Sequence, residues 1–384
     1  MTDQPVKSES TPALYFCPGE SYPISPAVHY ARLAAFYPKC RNCPLRQHEG
    51  HLSPETVQLD LNAHEERETL VTTAGLRGAY LNEINRFHAS ALTNAYVTLL
   101  MQGLFSSAPT GQPTLVIGYQ EHPAAPDLMI GVVNALRASG VSIVDLGLTV
   151  APELSFAIQQ LEATGGILVT GAGSDSSWIG FDFLSGEGRT IVDPELLAQI
   201  ETAQTLSTFR LAHANGHYRT WNVLDDYEAS LNGLFHALRP LRVGFASPLK
   251  RVNELAERLF APLPCTLDVL PLPHRKRDLE SSEDRDVMRL GEFVVSRSLH
   301  LGILIDDDGR QCALVNDEGR LVPREQWETW LMEGTALGQF PNQVPATLPE
   351  GEAFFDTDAL LTLAVVLSEM SRSDAQLSEH LWVG

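Results

Sequence analysis

Cys40-Arg-Asn-Cys43 carries two thiols at the spacing that lets both reach adjacent corners of a tetrahedral metal site. Cys17 lies upstream, and His29, His48 and His51 fall within the same 35 residues. The pattern predicts a structural zinc site of Cys17, Cys40, Cys43 and one histidine. His29 is the first choice, because a helix over about 28–37 would carry it toward Cys40; His48, just past the C-x-x-C, is the second. A module this small has too few apolar residues for its own core, which also favours a metal staple. Two alternatives stay open: reduced thiols packed against the main body, and a redox pair Cys40/Cys43.

A second stretch with chemical potential is Gly165-Gly-Ile-Leu-Val-Thr170, which runs straight into Gly171-Ala-Gly-Ser174 and on to Ser176 and Ser177. A buried strand feeding a Gly- and Ser-rich loop can hold a phosphate on backbone N–H groups, present a nucleophilic hydroxyl, or simply turn.

The elements around this loop alternate. Thr114–Tyr119, 141–145 and Gly166–Thr170 are short and continuously apolar, as fully buried strands are. Between the first two, Leu128, Val132 and Leu136 recur at helical spacing, and an amphipathic helix over about 82–102 precedes the set. The rhythm restarts with strands at 241–246 and 266–270 around a helix near 251–260. It restarts again with a helix over 282–297, a strand at 300–305 and a hairpin over 311–323 turning at Asn316–Gly319. The fold class is therefore α/β, with mainly parallel sheets covered by helices. The expected divisions are a disordered tail (1–12), the Cys/His module (13–66), and three α/β/α units (67–205, 206–272 and 273–384), joined at polar or Pro-rich stretches.

With 384 residues, 44% of them hydrophobic, the chain can bury a sizeable core. A net charge of −21 repels nucleic-acid phosphates and anionic lipid, and the one basic cluster, His274-Arg275-Lys276-Arg277, reads as a solvated linker. No apolar run approaches the length of a membrane span, and the first residues lack a signal-peptide pattern. With an odd, uneven set of five cysteines, these features lead us to expect a cytoplasmic protein without nucleic-acid or membrane partners.

Several strings in this order resemble the α-D-phosphohexomutases, the superfamily of phosphoglucomutases and phosphomannomutases. Thr72-Thr-Ala-Gly-Leu-Arg-Gly78 resembles the family's opening G-T-S-G-[IL]-R-G loop, and the strand at 166–170 resembles the one that delivers the phosphoserine loop T-A-S-H-N-P. Leu301-Gly-Ile-Leu-Ile-Asp-Asp-Asp-Gly-Arg310 resembles the metal loop. The resemblance spans about 70–372 and implies three consecutive phosphohexomutase-like domains without the fourth. It also implies a chemistry in which a phosphoserine passes its phosphoryl group to a sugar phosphate beside a magnesium ion.

Against that pattern the site is eroded. Ala172 stands at the phosphoserine position and Gly173 at the neighbouring histidine; Ser174, Ser176 or Ser177 could replace the nucleophile only if the loop shifted. The metal loop keeps Asp306 and Asp308, has Asp307 in place of a glycine, and carries Arg310 where a third aspartate would sit. Either Arg310 neutralises the aspartates or the pair still binds Mg²⁺ weakly. Asp182 replaces a family lysine, Tyr119-Gln-Glu-His122 replaces a segment bearing Asp and Arg, and the sugar and distal phosphate motifs are missing. What remains is Arg77 with the turn Thr170, Gly171 and Gly173, which either hold an anion or only preserve the turn, with Arg77 paired to a loop carboxylate. The expected protein is therefore a catalytically silent relative that binds a phosphorylated sugar or a protein partner. The alternatives are a divergent mutase using a nearby serine and a scaffold docked through the zinc module.

Overall fold

Short apolar strands that cannot expose either face must be covered on both sides, and the chain does this twice. In the computed structural model, residues 14–17, 21–34, 37–40, 43–46, 48, 69–105, 112–174, 178–206, 216–334 and 354–381 are described. The expected tail (1–12), Ser176 and Ser177 lie outside them.

The first sheet contains β1 (Val71–Thr72), β2 (Gly75–Ala79), β3 (Thr114–Tyr119), β4 (Ser142–Leu148), β5 (Gly165–Thr170), β6 (Trp178–Ser185) and β7 (Tyr218–Thr220). Their order is β1-β2-β6-β5-β3-β4-β7. β5, β3, β4 and β7 run parallel, whereas β6 is antiparallel to both β5 and β2. One face packs Leu92 of the helix Arg86–Met101, Leu128, Val132 and Leu136 of Ala125–Ala138, and Leu197 of Pro194–Leu206. The other face packs Leu154 and Ile158 of the helix Ala151–Gln160. The anticipated apolar stripe Leu128, Val132 and Leu136 is wholly buried, and each such side chain contributes about 1.5–3 kcal/mol on leaving water.

The second sheet corrects the expected division. β8 (Arg242–Ser247), β9 (Thr266–Pro271), β10 (Leu301–Ile305), β11 (Cys312–Asn316) and β12 (Leu321–Val322) form one sheet in the order β12-β11-β10-β8-β9. β8 and β10 pair in parallel, Val243 opposite Leu301 and Ala246 opposite Leu304. Residues 224–334 and 354–381, drawn from both expected units, thus build a single α/β unit. Neither supplies enough strands to cover its own helices, and pooling them gives one sheet with a core on each face. The helix Lys250–Phe260 and the helix Ala359–Met370 share one core, and Val287, Leu290 and Val294 of the helix Arg285–Arg297 fill the other. Every residue of Ala359–Met370 except Glu369 is buried, as a helix apolar all round must be. β7 moves the boundary too, since residues 218–220 belong to the first sheet through β4.

The basic cluster is solvated only in part: His274 and Lys276 are exposed, whereas the two arginines are paired. Arg275 pairs with Asp284 and, at 2.9 Å, with Asp286; Arg277 pairs with Asp286 at 2.9 Å, and its side chain is 3% exposed. Asp284 also caps the helix Arg285–Arg297 by accepting the Asp286 N–H, so these arginines serve local folding. No described helix is long and apolar enough to cross a membrane.

Candidate functional site

The site forms where the C-terminal ends of β5 and β10 face one another across the two units. β5 ends at Thr170, whose hydroxyl accepts the Ala172 N–H at 2.9 Å and hydrogen-bonds the Gln120 side chain. This tightens the turn Gly171–Ser174 and sets Gly173 at φ +71°, a left-handed conformation that glycine adopts without strain. A Cβ at Gly173 would also lie 2.6 Å from that of Ala74.

At the anticipated phosphoserine position the chain has the buried methyl of Ala172. Ser174 does not take over the role: it is 9% exposed, and its hydroxyl is turned back into the loop to donate to the Gly171 carbonyl at 2.6 Å.

Arg77 does not present its guanidinium to an incoming anion. It donates to Asp182 at 2.6 Å, to the Ala172 carbonyl at 3.1 Å, to the Phe181 carbonyl at 3.1 Å and to the Ala74 carbonyl at 3.0 Å. The pairing carboxylate comes from strand β6, not from the loop. Antiparallel pairing sets Arg77 opposite Gly180, which brings Asp182 within reach on the neighbouring strand.

In the turn after β10, Arg310 Nε donates to Asp308 Oδ2 at 2.6 Å, and its Nη2 lies 2.5 Å from the same oxygen as an ion pair. Burial opposes the charge of Asp308, but Arg310 and a hydrogen bond with Asp306 outweigh it and hold the carboxyl below its usual range. Asp306 moves the opposite way: burial and the adjacent Asp308 push it well above the usual carboxylate range. Asp306 instead takes the Gly309 and Gln311 N–H groups at 2.9 and 3.3 Å. Of the two aspartates expected to form a residual Mg²⁺ site, Asp308 is thus paired with Arg310, and Asp306 accepts backbone N–H groups of its own turn.

Sequence reasoning noted Asp307 only as a departure from glycine. Its carboxylate reaches the opposite unit and accepts the Gly173 N–H, with oxygens at 3.0 and 3.2 Å. Gln120 Nε2 donates to the Asp307 carbonyl at 3.1 Å, so one side chain ties the end of β5 to the turn after β10. The available signal was the pair of charge changes, Asp at 182 and Asp at 307, each adding an anion near a group that would otherwise bind one.

Residues 68–209 match the sequence profile of phosphoglucomutase/phosphomannomutase, alpha/beta/alpha domain I. A phosphomannomutase/phosphoglucomutase of Pseudomonas putida is 23% identical over 271 residues, covering 68% of this chain and 55% of that protein. Both findings make the chain similar to the α-D-phosphohexomutases, with the profile match lying in residues 68–209. A probable phosphoglucosamine mutase of Thermococcus gammatolerans is 23% identical over 295 residues, 74% of this chain and 62% of that one. Among solved structures, a putative phosphomannomutase from Thermus thermophilus superposes with a TM-score of 0.60 at 16% identity, covering 82% of each chain. A phosphoglucomutase/phosphomannomutase family protein from Burkholderia thailandensis gives 0.58 at 19% identity, covering 70% of this chain and 60% of that one. The phosphohexomutase-like chain spans about half the length of the first curated relatives it matches.

The N-terminal module holds four of the residues expected to bind zinc. Cys17, His29, Cys40 and Cys43 are described, yet among the described residues no three His, Cys, Asp or Glu side chains gather into a group that could hold a metal. His29 stacks on Tyr15 with ring centroids 3.9 Å apart, and its Nε2 hydrogen-bonds the His48 carbonyl at 3.0 Å. Tyr15, Ile24, Leu33, Cys40 and Cys43 are buried, so apolar and aromatic packing contributes to the cohesion of the module.

Proposed function

We propose that this phosphohexomutase-like protein has lost phosphosugar mutase catalysis and acts by binding, its ligand being a phosphorylated sugar or a protein partner. The observation that carries the reading is Ala172, a buried methyl at the position where the superfamily's chemistry needs a nucleophilic oxygen. The surrounding charges support it. Arg77 is engaged by Asp182, and Arg310 by Asp308, so neither cation is held ready for a phosphoryl group in flight.

The test is a coupled mutase assay on glucose 1-phosphate and mannose 1-phosphate, with Mg²⁺ and the matching bisphosphate. No turnover above a protein-free blank is expected. Turnover that scales with protein concentration overturns the reading in favour of a divergent mutase, the activity named for its relatives. Melting temperatures recorded with each phosphosugar then separate the two binding roles, because a ligand of the folded state raises the transition and a protein-only binder is unmoved.

A further inference from the structure

We propose that Asp307 is a built-in anion that occupies the oxyanion position of the loop Thr170–Ser174 and latches the two α/β units together. The inference rests on the non-catalytic reading above and extends it to what fills the loop. A backbone N–H presented by a turn with a left-handed residue is a natural donor to an oxyanion. At Gly173 that donor already has one, since both oxygens of Asp307 lie 3.0–3.2 Å from the nitrogen. The carboxylate belongs to the second unit and the amide to the first, 134 residues apart. Their union is therefore a contact between units and not a feature of the turn itself.

Three further observations fit a latch. Gln120, at the end of β3, hydrogen-bonds Thr170 with its carbonyl and the Asp307 backbone with its amide, which sets the register of the contact. Glu153, wholly buried at the start of the helix Ala151–Gln160, accepts Arg251 Nε of the second unit at 2.7 and 2.9 Å, giving the same interface a second charged tie. Gly309 of the Asp306–Arg310 turn accepts the Ala359 N–H at 3.1 Å, which anchors that turn to the core helix of the second unit. Asp307 is thus held by a rigid support and reaches into the loop as a bound ligand would. A free phosphate group and this carboxylate exclude one another.

The probe is inorganic phosphate, against sodium chloride of matched ionic strength, on the full chain. The wild-type melting temperature should not respond specifically to phosphate. Asp307→Gly should show a saturable rise of at least about 2 °C at phosphate concentrations well above Kd. In phosphate-free buffer its Gly173 amide should exchange hydrogen at least about tenfold faster than in the wild type, and phosphate should slow it. Asp307→Asn keeps the volume and should show the same two effects more weakly. Wild-type exchange gives an independent reading if Asp307→Gly does not fold: Gly173 must be protected without any added anion. A rapidly exchanging wild-type Gly173, or Asp307 variants blind to phosphate, overturns the latch and leaves the absence of mutase turnover standing. Turnover by the wild type would overturn the functional reading instead, whatever the phosphate data show.

Discussion

Asp182 lies 2.6 Å from the Arg77 guanidinium, with both side chains 1% exposed. An ion pair so far from solvent is poorly screened, and removing one partner strands the other's charge. Asp182→Ala is therefore expected to destabilise the chain by about 3–5 kcal/mol, read as a fall in the urea midpoint at constant slope. Asp182→Asn, which keeps the volume and a hydrogen-bond acceptor, should cost clearly less. Equal effects of the two would mean that Arg77 is held by the Ala172, Phe181 and Ala74 carbonyls and not by charge.

Restoring the missing hydroxyl should not restore the chemistry. Ala172→Ser returns an oxygen to the nucleophile's place but leaves Arg310 on Asp308 and Asp307 on Gly173. The variant is expected to incorporate no phosphoryl group from a sugar bisphosphate, as judged by intact mass. A gain of one phosphoryl mass would show that Ala172 alone separates this chain from activity.

A pH dependence follows from the second sheet. The Nδ1 of His300 accepts the Arg242 N–H at 2.9 Å, and the His300 N–H donates to the Arg242 carbonyl at 2.9 Å, so the residue stitches the start of β8 to that of β10. Burial first, then the nearby positive charge of Arg239, holds the imidazole below its usual 6.5. The folded state then resists a proton that the unfolded chain accepts. The stability attached to neutral His300 is complete above 6.5 and is lost as pH falls through the depressed folded value. Between roughly pH 7.5 and 5 the melting temperature of the wild type should fall more steeply than that of His300→Asn. Parallel curves would remove His300 from the account.

Metal analysis tests the N-terminal module. With His29 committed to Tyr15 and the His48 carbonyl, the purified chain is expected to hold less than one zinc per molecule and to melt unchanged in chelator. One zinc per chain, lost in Cys40→Ser, would restore the ligand set that the C-x-x-C spacing predicts.

Much of the framework was legible because its signals are local. The continuous apolar run of β5 announced a buried strand, the spacing of Leu128, Val132 and Leu136 announced a helix face, and Asn316–Gly319 announced the turn joining β11 to β12. That Ala172 stands in the turn after β5 was legible, because the strand and its Gly-rich loop are contiguous in the sequence. The number of sheets was not, since a βα rhythm reads the same whether β8 and β10 share a ladder or belong to separate ones. Arg77 with Asp182, 105 residues apart, and Gly173 with Asp307 depend on strand pairing and on docking of the units, which no local pattern encodes. Spacing shows only that Cys17, Cys40, Cys43 and a histidine could converge; that Tyr15 stacks on His29 was not legible, because the two are brought together by folding.

β7 carries a practical consequence. Residues 218–220 lie beyond the 68–209 match, yet they are the outermost strand of the first sheet and pair with Ile143, Val144 and Asp145 of β4. A fragment cut at residue 209 would leave that ladder uncapped, with backbone donors and acceptors of an apolar strand open to any passing chain. The three residues act as a selvedge, the bound border that keeps a woven cloth from unravelling or catching on its neighbour.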